Sequence, residues 1–176
     1  MASTAAGSPV VINGWKIYAH PLFLDQLEAL IAEVETLRSK DPKGYGSKNA
    51  SKRLAAIARL MLHDIPQDPS RKEYQQGSTL GAAHRHWRRA KFFQQYRLFF
   101  RFHTRSRLIV LGWVNDTDTK RVYGSKSDAY RVFQSMLASG HPPDDWEELL
   151  QEAAQATERL EQLTSCLLYT SPSPRD

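Results

Sequence analysis

The chain has 176 residues, 41% of them hydrophobic and 24% charged, with a net charge of +5 and a pI near 9.4. That length suits one domain with its own core and is short for two. The longest apolar runs, residues 54–62 interrupted by Arg59 and residues 108–114, fall far short of the ~20 residues that span a bilayer, so no membrane partner is expected.

Residues 1–9 lack the basic start and apolar stretch of a secretory signal; a flexible leader and a cytoplasmic protein are expected. Residues 10–19 (VVINGWKIYA) mix β-branched and aromatic side chains and predict a short strand, broken by His20-Pro21. From Pro21, the apolar positions Phe23, Leu27, Leu30, Ile31, Val34 and Leu37 recur at spacings of three and four, which predicts a helix ended by Asp41-Pro42 and Gly44. A second helix is expected over residues 51–64, with Leu54, Ile57, Ala58, Met61 and Leu62 on one face. Residues 66–81 read as a loop with breakers at Pro66, Pro69 and Gly77.

The period then changes from helical to alternating. Residues 87–92, 96–103 and 107–114 are runs of strand length, and the polar residues 104–106 between the last two predict an antiparallel meander. On the middle run, alternation puts Tyr96, Leu98, Phe100 and Phe102 on one face and Arg97, Phe99, Arg101 and His103 on the other. The first face is expected to be core and the second basic, with Arg89 and Lys91 of the preceding run on the basic side. The third run is apolar at nearly every position, as in a strand covered on both faces.

Residues 115–119 (NDTDT) are turn chemistry, and residues 127–138 return to helical spacing through Tyr130, Phe133 and Leu137. Residues 140–143 (GHPP) stop that helix. A last helix is expected over residues 144–163, with Trp146, Leu149, Leu150, Ala153, Leu160 and Leu163 as its stripe and Asp144, Asp145, Glu147 and Glu148 at the positive end of its dipole. The element order predicts one α+β domain over residues 10–165, with helices packed on an antiparallel sheet. Residues 166–176 (CLLYTSPSPRD) coincide, for one permitted choice of codons, with the translation of a transposase end and adapter used in sequencing-library preparation; they are expected to be foreign and dispensable. They contain the sole cysteine, Cys166, so no internal disulfide is possible.

The charge is segregated. Residues 84–131 hold 12 Lys and Arg against 3 Asp and Glu, a net of +9, whereas residues 144–165 carry −6. Trp87, Phe92, Phe93, Tyr96, Phe99 and Tyr123 lie within the basic stretch, and cations mixed with flat rings suit a single-stranded nucleic acid. A solvated sheet face is the alternative. A metal nuclease needs converging carboxylates, and this stretch offers only Asp116, Asp118 and Asp128, two of them in a turn. His84 and His86 lack a second Cys or His pair of zinc-site spacing and are expected to be basic loop residues; no metal or cofactor is expected. RNA carries its own nucleophile in the 2′-hydroxyl, so a base, cations on the phosphate and a donor at the leaving oxygen suffice for cleavage.

Six blocks in order, WKIYAHP (residues 15–21), AEVETL (32–37), YRLFFRF (96–102), LGWVND (111–116), RVYGSKSDAY (121–130) and GHPPDDW (140–146), resemble the YhaV toxins of bacterial type II toxin–antitoxin systems. The resemblance implies a RelE-like fold, an antiparallel sheet packed against N-terminal helices with additional C-terminal helices. It also implies a metal-independent endoribonuclease that cuts mRNA, on or off the ribosome. The implied partner is a PrlF-like, AbrB-type antitoxin, through which operator DNA is reached indirectly. Carried over position by position, it points to Lys91 as candidate base, Arg97 and Arg121 on the phosphate, and Tyr123 orienting or stacking on the substrate. Arg89, Arg101, His103, Lys120 and Lys126 are the expected RNA contacts. The chain departs from the family pattern at residues 93–95, which lack its glycines, and at residues 84–86, where the loop differs in composition. A non-catalytic RNA-binding or regulatory module using the same surface is the alternative function.

Overall fold

The structure is a computed structural model that describes residues 9–170. All of the expected leader but Pro9, and residues 171–176 of the tail, lie outside the described residues. Strands β1 (Val10–Ile12) and β2 (Trp15–Ala19) form a hairpin where a single strand was expected. Its turn is Asn13-Gly14, both at positive φ (52° and 82°), the pair that suits a tight hairpin turn.

Helix α1 (Pro21–Lys40) starts as expected, with Pro in its first turn and the His20 ring accepting from the Leu22 amide at 3.1 Å. Helix α2 (Asn49–Arg59) widens into a π turn at Leu60–Asp64 and ends in the short α3 (Ile65–Gln67). Pro66 lacks an amide hydrogen, so the regular hydrogen-bond ladder cannot continue through it, and the wide turn directly precedes that break.

Strands β3 (Arg88–Phe92), β4 (Tyr96–His103) and β5 (Leu108–Val114) form the expected meander. The sheet order is β1-β2-β5-β4-β3, and it is mixed: β2 pairs with β5 in parallel, a correction to the all-antiparallel expectation. The cause is topological. The helices after β2 carry the chain back to the end of the sheet where β2 began, so β3 runs parallel to β2, and β5, two antiparallel steps on, does too.

Both faces of the sheet are covered, so the alternation on β4 separates two cores rather than a core and an open basic face. The first core joins Ile17, Leu98, Phe100 and Leu111 to Phe23, Leu27, Leu54 and Met61 of the N-terminal helices. The second joins Phe99, Val110 and Trp113 to Tyr130, Phe133 and Leu137 of α4 (Ala129–Ala138) and to Leu149 and Ala153 of α5 (Trp146–Gln155). Phe99 stacks on Phe133 at 4.3 Å, and Trp87 meets Phe133 edge-on at 5.0 Å. Gly112, skipped in the β4–β5 register, leaves room for Trp87: a Cβ there would come within 2.6 Å of the indole.

The last expected helix is two. Its turn breaks at Ala156, and α6 (Thr157–Thr170) turns Leu160 and Leu163 into the first core. Leu167, within the tail expected to be foreign, is also buried there, at 3% exposure. Among the described residues, no helix is long and apolar enough to cross a membrane.

Candidate active site

The β3–β4 turn is tight and strained. Phe93 and Gln94 both adopt positive φ (47° and 63°), a conformation that favours the glycines missing here. Side chains hold it in place. Arg97, on β4, donates from NH1 to the Gln94 carbonyl at 2.7 Å and to the Tyr96 carbonyl at 2.9 Å. Buried Asn115 accepts from the Arg97 amide at 2.8 Å and donates to the Gln95 and Thr119 carbonyls, tying the turn to the loop after β5. The Arg121 amide closes on the Gln95 carbonyl at 2.8 Å.

Three guanidinium groups gather at one phenol. The Tyr130 hydroxyl, delivered by the first turn of α4, accepts from Arg89 Nε at 2.9 Å and from Arg97 Nε at 3.1 Å. Arg121 lies over the Tyr130 ring, 4.7 Å from its centroid, and over the Tyr123 ring at 5.3 Å. Asp128 caps α4 through the Tyr130 amide and also accepts from Arg121 NH1 at 2.7 Å and from the Val122 amide at 2.8 Å. One carboxylate, 1% exposed, thereby fixes both the helix start and the loop that carries Arg121.

The expected residues at this end of the sheet stand in different settings. Arg97 is only 7% exposed, and its Nε and NH1 are engaged with protein. Lys91 stands opposite Arg97 in register on the same face, exposed, and without an ion pair or hydrogen bond among the described residues. Tyr123 is 90% exposed, and Phe93, on the strained turn, is half exposed. Arg89, already bonded to the Tyr130 hydroxyl, has a further bond to the Glu73 carbonyl. Lys120 and Lys126 flank Arg121 and Tyr123 in the same loop. Beside β3 is a cavity of about 570 Å³ whose lining includes Asp64 and Glu73 together with Arg71, Lys72, Arg89 and Lys91. Burial and the neighbouring Glu73 push the Tyr74 phenol up to about 12, so it stays protonated.

Arg101 and His103 lie apart from this group, at the far end of the same face. Arg101 donates to the Asp144 carbonyl at 2.6 Å and is sandwiched between the Trp87 and Trp146 rings, at 5.6 and 5.2 Å. Burial pulls its guanidinium below the ordinary value, against the opposing charges of Asp144 and Asp145. His103 stacks on Trp146. Nor are His84 and His86 solitary loop residues, because both reach Asp144, 58 or more positions away. Tyr130, Asp128 and Asn115 are the contributors that sequence reasoning missed. Tyr130 read as one residue of an apolar stripe, though a phenol directly after a capping Asp is a polar tip that needs a partner.

The family described as "Toxin with endonuclease activity, of toxin-antitoxin system" matches residues 17–154. Similar proteins are "Ribonuclease toxin YhaV" of Escherichia coli (strain K12) and "Toxin YhaV" of Escherichia coli O6:H1, each 46% identical over 84% of this chain and 97% of its own length. The chain belongs to the YhaV toxin family. Membership makes it an endonuclease toxin and implies an antitoxin partner. All the residues around Tyr130 fall inside the matched span. No solved structure matches the chain.

Proposed function

We propose that this YhaV-family toxin is an endoribonuclease that cuts mRNA without a metal ion. The 2′-oxygen attacks the adjoining phosphorus as Lys91 takes the hydroxyl proton, the bond to the 5′-oxygen breaks, and that oxygen takes up a proton. The products carry a 2′,3′-cyclic phosphate and a 5′-hydroxyl. Arg121 donates to the non-bridging oxygens as charge develops. Tyr123 stacks on a base beside the scissile phosphate, and Lys120 and Lys126 hold flanking phosphates. Buried Arg97 is a positioning residue: it holds the strained turn and, with Arg89, the Tyr130 hydroxyl.

The observation that carries this reading is the excess of positive charge around Tyr130, open on one side to unpaired Lys91 and exposed Tyr123. Its antitoxin is PrlF-like and inhibits by laying acidic or aromatic groups over Lys91, Arg121 and Tyr123. Operator DNA is met through that partner, and the setting is the cytoplasm. The test is cleavage of a synthetic RNA in excess chelator with analysis of the ends: cyclic phosphate termini are expected. RNA bound but left intact would favour a non-catalytic module, and cleavage abolished by the chelator would reject the metal-free chemistry.

A further inference from the structure

At the opposite end of β3, Asp144 Oδ1 collects three donors from the loop before the strand: His84 Nδ1 at 3.0 Å, His86 Nε2 at 2.8 Å and Trp87 Nε1 at 2.9 Å. The two imidazole nitrogens and the carboxylate oxygen all lie within 4.8 Å of one another. A tetrahedral ion with bonds of about 2.1 Å sets its ligand atoms roughly 3.4 Å apart, so small side-chain rotations bring the three into range. We propose that His84, His86 and Asp144 bind one divalent transition-metal ion, zinc by the character of the donors, and that the ion clamps the loop before β3 to the start of α5.

Two imidazoles and one carboxylate favour zinc over magnesium or calcium, which prefer all-oxygen shells. The ligands are supported from outside. The Trp87 indole N–H orients the carboxylate, Gln76 Nε2 donates to the His84 carbonyl at 2.8 Å, and Arg101 NH1 holds the Asp144 carbonyl. The carboxyl is ready as an anion: burial raises it, but hydrogen bonds from His86 and Trp87, the His86 charge and the His84 bond together hold it below its ordinary value. A neutral imidazole needs only to shift its proton to the other ring nitrogen to offer a lone pair. All three side chains are partly exposed, which leaves an entry path and a fourth position for water. Arg101, held against the Asp144 carbonyl, is the opposing charge and weakens the affinity. The five residues of β3, roughly 16 Å of strand, separate this site from the β3–β4 turn, so it does not depend on the cleavage mechanism.

The test uses the full chain, stripped with a chelator and then titrated with zinc chloride against a metal-binding dye, or with cobalt chloride to read visible absorption. One ion per chain is expected, with a rise in melting temperature on loading and the intense bands of a low-coordinate cobalt site. His84→Ala and His86→Ala, both in a surface loop, should weaken binding on the order of 100-fold or more, with the melting temperature of the stripped protein little changed. Substoichiometric binding, or one ion that persists in both variants at His63 and Asp64 or at His20 and Glu152, would overturn the proposal.

Discussion

Arg97 and Arg101 stand four residues apart on the same face of β4, yet they belong to two different machines. Around Arg97, α4 contributes a phenol whose hydroxyl takes two guanidinium donors at once, and the Asp128 carboxylate is spent on Arg121 and the helix cap. Positive charge is left over, and it faces solvent at Lys91. Around Arg101, the start of α5 contributes a backbone carbonyl, two indoles lie within reach, and the Asp144 carboxylate is matched to two histidines. Strand, parity and residue type are the same. What packs above them decides what each guanidinium is committed to, a turn and a phenol at Arg97 and a helix start and two indoles at Arg101.

The largest expected effect lies at the first end. Arg121→Ala should slow RNA cleavage by about 100-fold or more, because a preorganised donor to developing charge is lost, while RNA affinity falls much less. Single-turnover cleavage beside a binding titration checks this. Arg101→Ala is the matching change at the other end. It should lower stability by about 1.5–3 kcal/mol through the lost charged hydrogen bond and leave cleavage near the wild-type rate, as read by denaturant unfolding and the same cleavage assay. Equal losses of cleavage in the two variants would merge the two ends into one RNA surface and break the comparison.

The elements around this contrast were legible in the sequence to unequal degrees. Alternation places β4, and run length with the polar residues 104–106 places β3 and the continuously apolar β5, each to within a residue. The three-residue β1 is too short to show a period, and the Asn13-Gly14 signal is easily lost inside an apolar run. Parity puts Arg97 and Arg101 on one face but says nothing of what covers that face, and the covering helices come from residues 129–155. The pairing of Asp144 with His84 and His86 is likewise invisible to local pattern, because ligand spacing rules look for neighbours in sequence. The resemblance to YhaV toxins reached the toxin and endonuclease assignment that the family match supports. It did not separate Arg121, partly exposed and paired with Asp128, from Arg97, which is buried and holds the turn.

That separation predicts a third effect. Tyr130→Phe removes only an oxygen, but it leaves the Nε groups of Arg89 and Arg97 without their acceptor. A loss of about 1–3 kcal/mol in stability is expected. Cleavage should fall because Arg97, which holds the β3–β4 turn, loses its acceptor, whereas Tyr123→Phe, at an exposed ring, should leave stability unchanged. Unfolding and cleavage measured on both variants sharpen the contrast between a buried positioning phenol and a substrate-facing one. If Tyr130→Phe were neutral in both, the convergence on its hydroxyl would have no energetic weight.

The smallest expected effect belongs to the histidine end, and it is read in acid with the chelator present. Asp144 is held below its ordinary carboxyl value when folded, against about 3.9 in the unfolded chain. A group depressed by folding contributes stability that is complete above its unfolded value and is lost as pH falls through the lower folded one. The wild-type protein should therefore lose stability more steeply than Asp144→Asn on descending below about pH 4. The difference should be modest, because water screens a partly exposed carboxylate. Asp116, likewise depressed by hydrogen bonds from Gln26 and Thr119 in spite of its burial, is present in both proteins and cancels from the comparison. Parallel curves of melting temperature against pH would mean that the contacts to Asp144 Oδ1 do not favour its ionised form, and the two ends of the face would then differ in charge alone.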